Sequence, residues 1–413
     1  MDALPEPDNI PWDEVHDILV ALITGTNGKT TTVRMLSAIA AAAGLTAGNT
    51  SADGVQLGGE TILEGDYTGG EGARALLQVR RVDIAFLEVA RGGMLRRGLP
   101  IENPDVAYVG NVGTDHLGEY SIDSLESLAE VKLLVAAAVA EKGHLVVNAD
   151  DARLAPALAA PGTVAIRVDP DDAPDGACFA RKRGRLGPLQ ERGVAPWLEQ
   201  ADVPATVGGA AVHNVYNALG AMAIATTLGI DRKSVVDGLS GFTSDARTNP
   251  GRCNVYSFAG LRAVIDYARN PEGLELVLRM VAAMRPERSL VVIGQAGDRE
   301  DSAVDALADI CASHAPDRVI VKTMHKYGRG RDAAEVARRI FARLQDAGMS
   351  AASLALVDDE MTAVREALLW GQAGDVLLRL SHTSRGGVIE FLDSLESVNW
   401  QPGTPLPPTP SEI

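Results

Sequence analysis

An apolar run, a glycine-rich loop and an alanine-rich stretch follow one another near the start of this 413-residue sequence. The apolar run, 18–24, has the length of a buried strand, and the stretch 30–43 has the composition of a helix. The loop between them, 25–31, reads G-T-N-G-K-T-T. Its glycines let backbone N–H groups turn toward a phosphate chain, and the helix that follows adds its positive end. This order predicts a phosphate-binding loop at the end of a strand.

The lysine of this loop and the threonine after it have different expected tasks. Lys29 is expected to lie along the β- and γ-phosphates of a nucleotide, and the Thr30 hydroxyl is expected to bind Mg²⁺. The usual loop has another glycine five residues before Gly28, where this sequence has Ile23, so the loop is a shortened variant. The other residues expected at the phosphates are Thr26, Asn27, Gly28 and Thr31.

Strand-like and helix-like segments alternate along most of the chain. After the loop, apolar runs at 82–89, 106–111 and 144–148 are predicted strands, and 124–140 and 214–228 are predicted helices. Strands separated by helices of this length indicate a mostly parallel sheet that is covered on both faces. The pattern then starts again, with predicted strands at 263–265, 289–293, 318–321, 353–357 and 376–380.

These patterns predict an α/β chain with two domains and a tail. A phosphate-loop domain with a mostly parallel sheet is predicted for 1–242, and a smaller Rossmann-like domain is predicted for 243–400. The segment 243–252 contains proline, glycine and polar residues, as a hinge would. The segment 401–413 is rich in proline and has no periodicity, so we expect it to be disordered.

Composition argues against several classes of protein. The formal net charge of −17 disfavours nonspecific nucleic-acid binding, although the basic stretch 181–185 stands apart. We expect that stretch to be a solvated loop, with recruitment of an acidic partner or polymer as the alternative. No apolar run reaches the ~18 residues of a membrane span, and the acidic N-terminus lacks a secretory pattern. The three cysteines form no C-x-x-C pair, so we expect a cytoplasmic protein with no nucleic-acid or membrane partner.

Six motifs occur in a fixed order along the chain. Singly, motifs such as N-A-D-D are weak signals, but the ordered set spans nearly the whole chain and is specific. The motifs are G-T-N-G-K-T-T-T (25–32), L-E-V-A-R-G-G (87–93), N-V-G-T-D-H-L-G (111–118), V-N-A-D-D (147–151), H-N-V-Y-N-A (213–218), and G-R (251–252) with D-Y-A-R-N-P (266–271). In this order they resemble the motifs of the Mur ligase superfamily.

Further stretches narrow the resemblance within the superfamily, at 50–54, 65–69, 90–96, 297–301 and 329–331. Their closest likeness is to the C-terminal ligase region of cyanophycin synthetase. That enzyme carries an ATP-grasp domain ahead of this region, whereas only 24 residues precede Gly25 here. We therefore expect a stand-alone ligase module that lacks the ATP-grasp domain.

The resemblance implies an ATP- and Mg²⁺-dependent ligase that joins an amine to a carboxylate activated as an acyl phosphate. Its substrates would be a small-molecule or peptide carboxylate and an amine, with amino acids and aspartate- or arginine-type substrates as candidates. Family precedent leaves a homodimer open. Closure of the second domain about the hinge would exclude water from the reactive intermediate.

The resemblance also assigns the metals and the central catalytic residues. Thr30 and Glu88 would bind the first Mg²⁺. His116 and Lys132 would bind the second metal, since Lys132 follows His116 by sixteen residues, close to the spacing of the family's carbamylated lysine. A carbamylated lysine presents a carboxylate, which a plain ammonium cannot do. Lys29 and the metals would stabilise the charge that develops during transfer.

Further roles follow from the same comparison. Asn217 and Asn214 would hold the adenine, while Arg252 would reach the phosphates and Asp266 the ribose. Simpler structural roles remain open for each of them, such as helix packing or an ion pair. Residues expected at the acid or amine substrate are Ser51, Asp53, Arg91, Arg269 and His382.

One departure from the family pattern bears on the second substrate. Arg269 stands where the family motif has histidine, and arginine adds a permanent charge but cannot act as a base. The change selects a more acidic amine substrate or weakens catalysis. Two other functions stay open: a catalytically silent nucleotide-binding partner of a larger synthetase, and a plain phosphate-loop ATPase or kinase.

Overall fold

A computed structural model of the protein describes residues 18–115, 118–171, 176–191 and 193–409. The chain divides into two compact units. Unit 1 comprises the residues up to Val203 together with Asn214–Phe242, and unit 2 comprises Pro204–His213 and the residues from Thr243 onward. The predicted domain limits 1–242, 243–400 and 401–413 stay predictions.

Within the described residues, the strands of unit 1 form one 12-stranded sheet in the order β11-β10-β9-β8-β7-β6-β1-β5-β2-β3-β4, with β12 beside β10. The strands from β2 across to β9 are parallel, and both ends of the sheet are antiparallel. Its strands are β1 (Leu19–Thr24), β2 (Ala47–Ser51), β3 (Gly54–Leu57), β4 (Glu60–Glu64), β5 (Ile84–Glu88), β6 (Val106–Val109), β7 (His144–Asn148), β8 (Thr163–Val168), β9 (Cys178–Lys182), β10 (Arg185–Gln190), β11 (Gly193–Val194) and β12 (Leu198–Glu199).

Helices cover this sheet because its central strands are apolar on both faces. Strand β1 is buried from Val20 to Thr24, as expected of a parallel strand between two helical layers. The glycine at 238 lets two helices approach closely, since a Cβ there would lie 2.4 Å from the Cα of Ile39. The helices are α1 (Lys29–Ala42), α2 (Gly70–Leu77), α3 (Arg91–Arg97), α4 (Leu125–Ala137), α5 (Val212–Thr227) and α6 (Arg232–Gly241).

Unit 2 has a smaller sheet in the order β13-β14-β18-β15-β16-β17, parallel except for β13. Its strands are β13 (Asn254–Phe258), β14 (Leu261–Asp266), β15 (Ser289–Ile293), β16 (Arg318–Lys322), β17 (Leu354–Val357) and β18 (Val376–Leu380). Its helices are α7 (Pro271–Ala283), α8 (Asp301–Ser313), α9 (Ala333–Asp346), α10 (Glu360–Trp370) and α11 (Arg385–Ser397).

Two apolar cores lie on the opposite faces of the unit 2 sheet. Helices α7, α8 and α9 contribute to one core, and α10 and α11 contribute to the other. The last strand, β18, is inserted between β14 and β15. Helix α10, which leads into β18, covers one face of the sheet, and helix α7, which joins β14 to β15, covers the other. In such a sheet a crevice opens at the carboxyl end of the inserted strand.

The predicted fold class is confirmed, because both units are α/β with mostly parallel sheets and the second is smaller and doubly wound. The basic stretch 181–185 differs from the expected loop, since it forms the end of β9, a tight turn and the start of β10. Two of its cations have acidic partners: Arg181 pairs with Asp169 at 2.8 Å and Arg185 with Glu199 at 3.2 Å. These pairs account for the stretch as part of a solvated hairpin.

The proline-rich end of the chain also differs from the disorder expected there. Leu406 packs against a core of unit 2, and Arg365 donates a hydrogen bond of 2.8 Å to the carbonyl oxygen of Pro407. Proline-rich segments lack periodicity, yet single apolar side chains can still dock on a preformed surface. The last residues, 410–413, lie outside the described part. Among the described residues, no helix is long and apolar enough to span a bilayer.

Candidate active site

The phosphate loop lies where three neighbouring parallel strands end. Strand β1 lies between β5 and β6, so its carboxyl end brings the loop beside Glu88 on one side and Gly110–Asn111 on the other. Gly28 caps helix α1 with φ of +84°, a conformation that favours glycine. A Cβ at this position would also come within 2.2 Å of Asn217 Oδ1. The loop therefore requires glycine at 28 for two independent reasons.

Asn111 holds the loop in shape through its side-chain amide. Its Oδ1 accepts from the backbone N–H of Thr26 at 3.1 Å and of Asn27 at 2.8 Å, and its Nδ2 donates to the Asn27 carbonyl at 2.9 Å. Gly113 N–H donates to Thr26 Oγ1 at 2.8 Å, so two residues that follow β6, Asn111 and Gly113, form hydrogen bonds with the loop. The sequence placed Asn111 in a motif, but only the fold shows that it organises the loop.

Lys29, Thr30 and Glu88 form the centre of the site in unit 1. The Thr30 hydroxyl donates to Glu88 Oε2 at 2.7 Å, and both residues are buried. Lys29 Nζ lies 4.0 Å from Glu88 Oε1 and donates to the carbonyl oxygens of Gly25 and Thr26. The arrangement brings one cation, one carboxylate and one hydroxyl to the start of helix α1.

These oxygen donors fit a hard divalent cation. Mg²⁺ prefers carboxylate and hydroxyl oxygens and usually retains waters and substrate phosphate oxygens, so two protein ligands suffice. Within the described part of the chain, no group of three or more His, Cys, Asp and Glu residues could hold a metal. His116, predicted as a ligand of a second metal, lies outside the described residues.

Lys132 is buried on helix α4, with its side chain near the loop lysine. Burial, together with the positive charges of Lys29 and Arg91, lowers the pKa of Lys132 from 10.5 to about 7, against the opposing effect of Asp115. A neutral amine is the form that reacts with CO₂, so this environment fits the predicted carbamylation. That modification stays a prediction.

Asn214 and Asn217 lie on helix α5, and Asn217 contacts the phosphate loop itself. Asn217 Nδ2 donates to Asn214 Oδ1 at 2.9 Å, and the Thr32 hydroxyl donates to Asn217 Oδ1 at 3.4 Å. Together with the close approach to Gly28, these contacts make Asn217 a brace of the loop. Its predicted adenine role stays a prediction.

The residues predicted at the acid substrate in unit 1 lie at or just after the ends of strands β2 and β5. Asp53 forms an ion pair of 3.1 Å with Arg34 of helix α1, and its N–H donates to Ser51 Oγ at 3.2 Å. Arg91 is buried and pairs with Glu119 at 2.6 Å. Arg34 and Glu119 were not foreseen, because ion-pair partners far apart in sequence leave no local signal.

In unit 2, Asp266 ends strand β14 with its carboxylate held in place. Its Oδ2 accepts from Cys253 N–H at 2.9 Å and from Cys253 Sγ at 3.2 Å, and its Oδ1 accepts from Ala268 N–H at 2.7 Å. His213 Nε2 lies 3.2 Å from the same sulfur. Burial raises the pKa of the Cys253 thiol, and Asp266 raises it further, so the thiol keeps its proton.

Three other predicted residues of unit 2 surround Tyr267. The guanidinium carbons of Arg252 and Arg269 lie 4.8 and 5.8 Å from the centre of its ring, and the His382 ring meets it edge-on at 5.6 Å. His382 Nε2 also lies 3.0 Å from the Ala268 carbonyl oxygen. Burial, together with the charge of Lys322, lowers the pKa of His382 to about 3. The structure thus brings Arg252, Arg269 and His382 together around an aromatic residue that had been assigned no role.

Two family models match the chain. The Mur ligase middle domain matches residues 23–225, and the Mur ligase glutamate ligase domain matches residues 251–382. The cyanophycin synthetase of Crocosphaera subtropica is 37% identical over 343 residues, which are 80% of this chain but 39% of that protein. The chain thus spans about two fifths of the length of that relative.

The match to more distant relatives includes a larger share of each relative's length. The UDP-N-acetylmuramoyl-L-alanyl-D-glutamate–2,6-diaminopimelate ligase of Geobacter metallireducens is 28% identical over 420 residues, 90% of this chain and 78% of that protein. The structure of E. coli FolC in complex with DHPP and ADP superposes with a TM-score of 0.69 at 21% identity, covering 92% of this chain and 89% of that one. This likeness supports the fold alone. Both domain matches, read with the geometry above, show that the chain belongs to the Mur ligase superfamily, a group of ATP-dependent carboxylate–amine ligases.

Proposed function

We propose that this chain is an ATP-dependent ligase that forms an amide bond between a carboxylate and an amine through an acyl phosphate. The observation that carries the proposal is the Thr30–Glu88 hydrogen bond of 2.7 Å beside Lys29, at the start of the helix behind the phosphate loop. A bare phosphate-binding loop explains Lys29 but leaves a buried carboxylate next to the threonine without a task. A divalent cation between the protein and the phosphates would bind the Thr30 hydroxyl and the Glu88 carboxylate, which gives both groups a function.

The first step transfers the terminal phosphoryl group of ATP to the acid. A carboxylate oxygen bonds to the γ-phosphorus, the bond from that phosphorus to the bridging oxygen breaks, and ADP leaves. Lys29 and the backbone N–H groups at the start of helix α1 stabilise the negative charge of the phosphates. Mg²⁺, held by Thr30 and Glu88, would supply further charge neutralisation there.

The second step joins the amine to the activated acid. The nitrogen of a neutral amine bonds to the carbonyl carbon, the bond from that carbon to the phosphate oxygen breaks, and inorganic phosphate leaves as the nitrogen loses a proton. His382 is a poor acceptor for this proton near neutral pH because its pKa is lowered to about 3. We assign His382 and Arg269 to substrate binding at the crevice of unit 2, where doubly wound sheets bind ligands.

For the substrates, we propose an amino acid as the amine and an aspartate- or peptide-like carboxylate as the acid. The support is the 37% identity to cyanophycin synthetase over 80% of this chain. Arg269 adds a cation beside Tyr267, which favours a substrate with an acidic group. ATP and a divalent cation are the proposed cofactors, and E. coli FolC, with the same fold, binds ADP.

The test is a screen of acid and amine pairs for release of ADP and phosphate. A ligase releases both only when ATP, a divalent cation, an acid and an amine are all present. Lys29→Ala should abolish the release, whereas Lys142→Ala, on an exposed turn, should leave it unchanged. Release that needs neither acid nor amine would indicate a simple ATPase. Nucleotide binding with no turnover for any pair would favour a silent partner of a larger synthetase.

A further inference from the structure

Three charged residues are buried together at the crevice end of the unit 2 sheet. Lys322 ends strand β16, Arg379 precedes the last residue of β18, and Glu360 begins helix α10. Their side chains are between 0% and 6% exposed. We call Lys322, Glu360 and Arg379 the buried charge cluster. None of the roles assigned above uses it.

The cluster is held together by Glu360. Its Oε1 lies 3.2 Å from Lys322 Nζ and accepts a hydrogen bond from Arg379 Nη2. Lys322 Nζ also donates to the carbonyl oxygen of Leu380. Burial disfavours the charged carboxylate, yet the two cations hold the pKa of Glu360 well below its usual range. Glu360 therefore stays ionised in an environment that otherwise excludes charge.

The same carboxylate organises the segment that follows β18. Glu360 Oε2 accepts from the backbone N–H of Thr383 at 2.7 Å and of Ser384 at 3.0 Å, and also from the Thr383 hydroxyl. Oε1 accepts from His382 N–H at 3.1 Å. These N–H groups lie just before helix α11, where backbone donors have no partner within the helix. The Glu360 carboxylate accepts these hydrogen bonds, so the negative charge beside the N–H groups of 382–384 comes from the protein itself.

The segment 382–384 is in turn linked to the loop after β14. His382 Nε2 lies 3.0 Å from the Ala268 carbonyl oxygen, and Ala268 N–H donates to Asp266. A hydrogen-bonded chain therefore runs from the buried charge cluster to both loops that border the crevice. A buried ion pair is weak evidence for stability, because apolar residues of similar volume often serve as well. The geometry of the loops is the better explanation for charges at this place.

We propose that Glu360, held by Lys322 and Arg379, is a positioning residue that sets the segment 382–384 for binding of the amine substrate. This inference rests on the proposed function for the identity of the substrate, but not for the geometry. It also implies that the backbone N–H groups of 382–384 are not available to a substrate carboxylate, because Glu360 already accepts their hydrogen bonds. An acidic group on the amine must then be bound by other residues of the crevice.

The kinetic test separates the two steps of the reaction. Hydroxylamine intercepts an acyl phosphate as a hydroxamate, so it reports the first step without the amine site. Thr383→Val removes one hydrogen bond to Glu360 without unpairing a buried charge, and should raise the KM of the amine about tenfold. Hydroxamate formation should not change. Thr383→Ser should restore the KM, because it keeps the hydroxyl, and Glu366→Gln, a more exposed carboxylate on the same helix, should have no effect.

A structural measurement tests the positioning itself and does not depend on turnover. Amide hydrogen exchange at 382–384 should accelerate about tenfold or more in Thr383→Val and in Glu360→Gln, while exchange in strand β15 stays slow. Unchanged exchange at 382–384 in both variants would overturn the proposal, as would an unchanged amine KM in an active Thr383→Val enzyme. If the unmodified protein shows no turnover dependent on acid and amine, the proposed ligase function fails, and the exchange data still decide whether Glu360 positions the segment.

Discussion

The hydroxyl of Thr30 donates a hydrogen bond of 2.7 Å to the carboxylate of Glu88, which joins the phosphate loop to the end of the neighbouring strand. Thr30 is the second residue of helix α1, and Glu88 is the last residue of β5. The two residues are 58 positions apart in the sequence, and they meet because strands β1 and β5 pair side by side.

This pair gives the most direct test of the metal site. Thr30→Val keeps the volume but removes the hydroxyl, so we expect kcat to fall about 100-fold or more, as when one group that stabilises transition-state charge is lost. Thr30→Ser keeps the hydroxyl and should retain most activity. The measurement is ADP release across a range of Mg²⁺ concentrations. Equal activity of the valine and serine variants would contradict a role for the hydroxyl.

Asn111 should control binding of ATP more than the chemical step. Asn111→Ala removes the acceptor for two loop N–H groups and the donor to Asn27, so the loop would lose its preformed shape. We expect the KM for ATP to rise about tenfold to 100-fold, from the loss of about 1–3 kcal/mol of binding free energy. Isothermal titration with a non-hydrolysable ATP analogue measures the same loss as a Kd. Unchanged affinity would show that the loop holds its shape without Asn111.

Tyr267 should act through the face of its ring. Tyr267→Phe keeps that face for Arg252 and Arg269 and should behave like the unmodified protein. Tyr267→Leu removes the ring, and each of the two cation–π contacts is worth about 0.5–1 kcal/mol at an exposed site, so kcat/KM should fall about fivefold to 30-fold. Steady-state kinetics of both variants measure the difference. If phenylalanine proves as harmful as leucine, the hydroxyl rather than the ring matters.

His382 should make unit 2 sensitive to mild acid. Its pKa is lowered to about 3 in the folded protein from 6.5, so the unfolded chain binds the extra proton first as the pH falls. The free energy of unfolding should therefore decrease below pH 6.5, by up to about 1.4 kcal/mol per pH unit from this group alone. His382→Gln should flatten that dependence between pH 6.5 and 5, measured by urea titration. His325→Gln, on an exposed histidine, is the control and should leave the slope unchanged.

Much of this protein was accessible from its sequence. The alternation of apolar runs and helices predicted two α/β units, and the loop with its ordered motifs predicted the Mur ligase superfamily. Both predictions are confirmed. They succeeded because periodicity and glycine-rich loops are local: a strand, a turn and a helix start are each specified by a few adjacent residues. The residues predicted at the site stay predictions until they are tested.

Only the tertiary structure decided which distant side chains meet. The amide of Asn111 closes around the phosphate loop, Tyr267 gathers two arginines, and Glu360 links two strand ends to a helix start. Each contact joins residues from different elements. Their charges and hydrogen bonds gain strength only when burial excludes water and packing sets the distance. A sequence specifies the groups, but the fold determines which of them share a low-dielectric site.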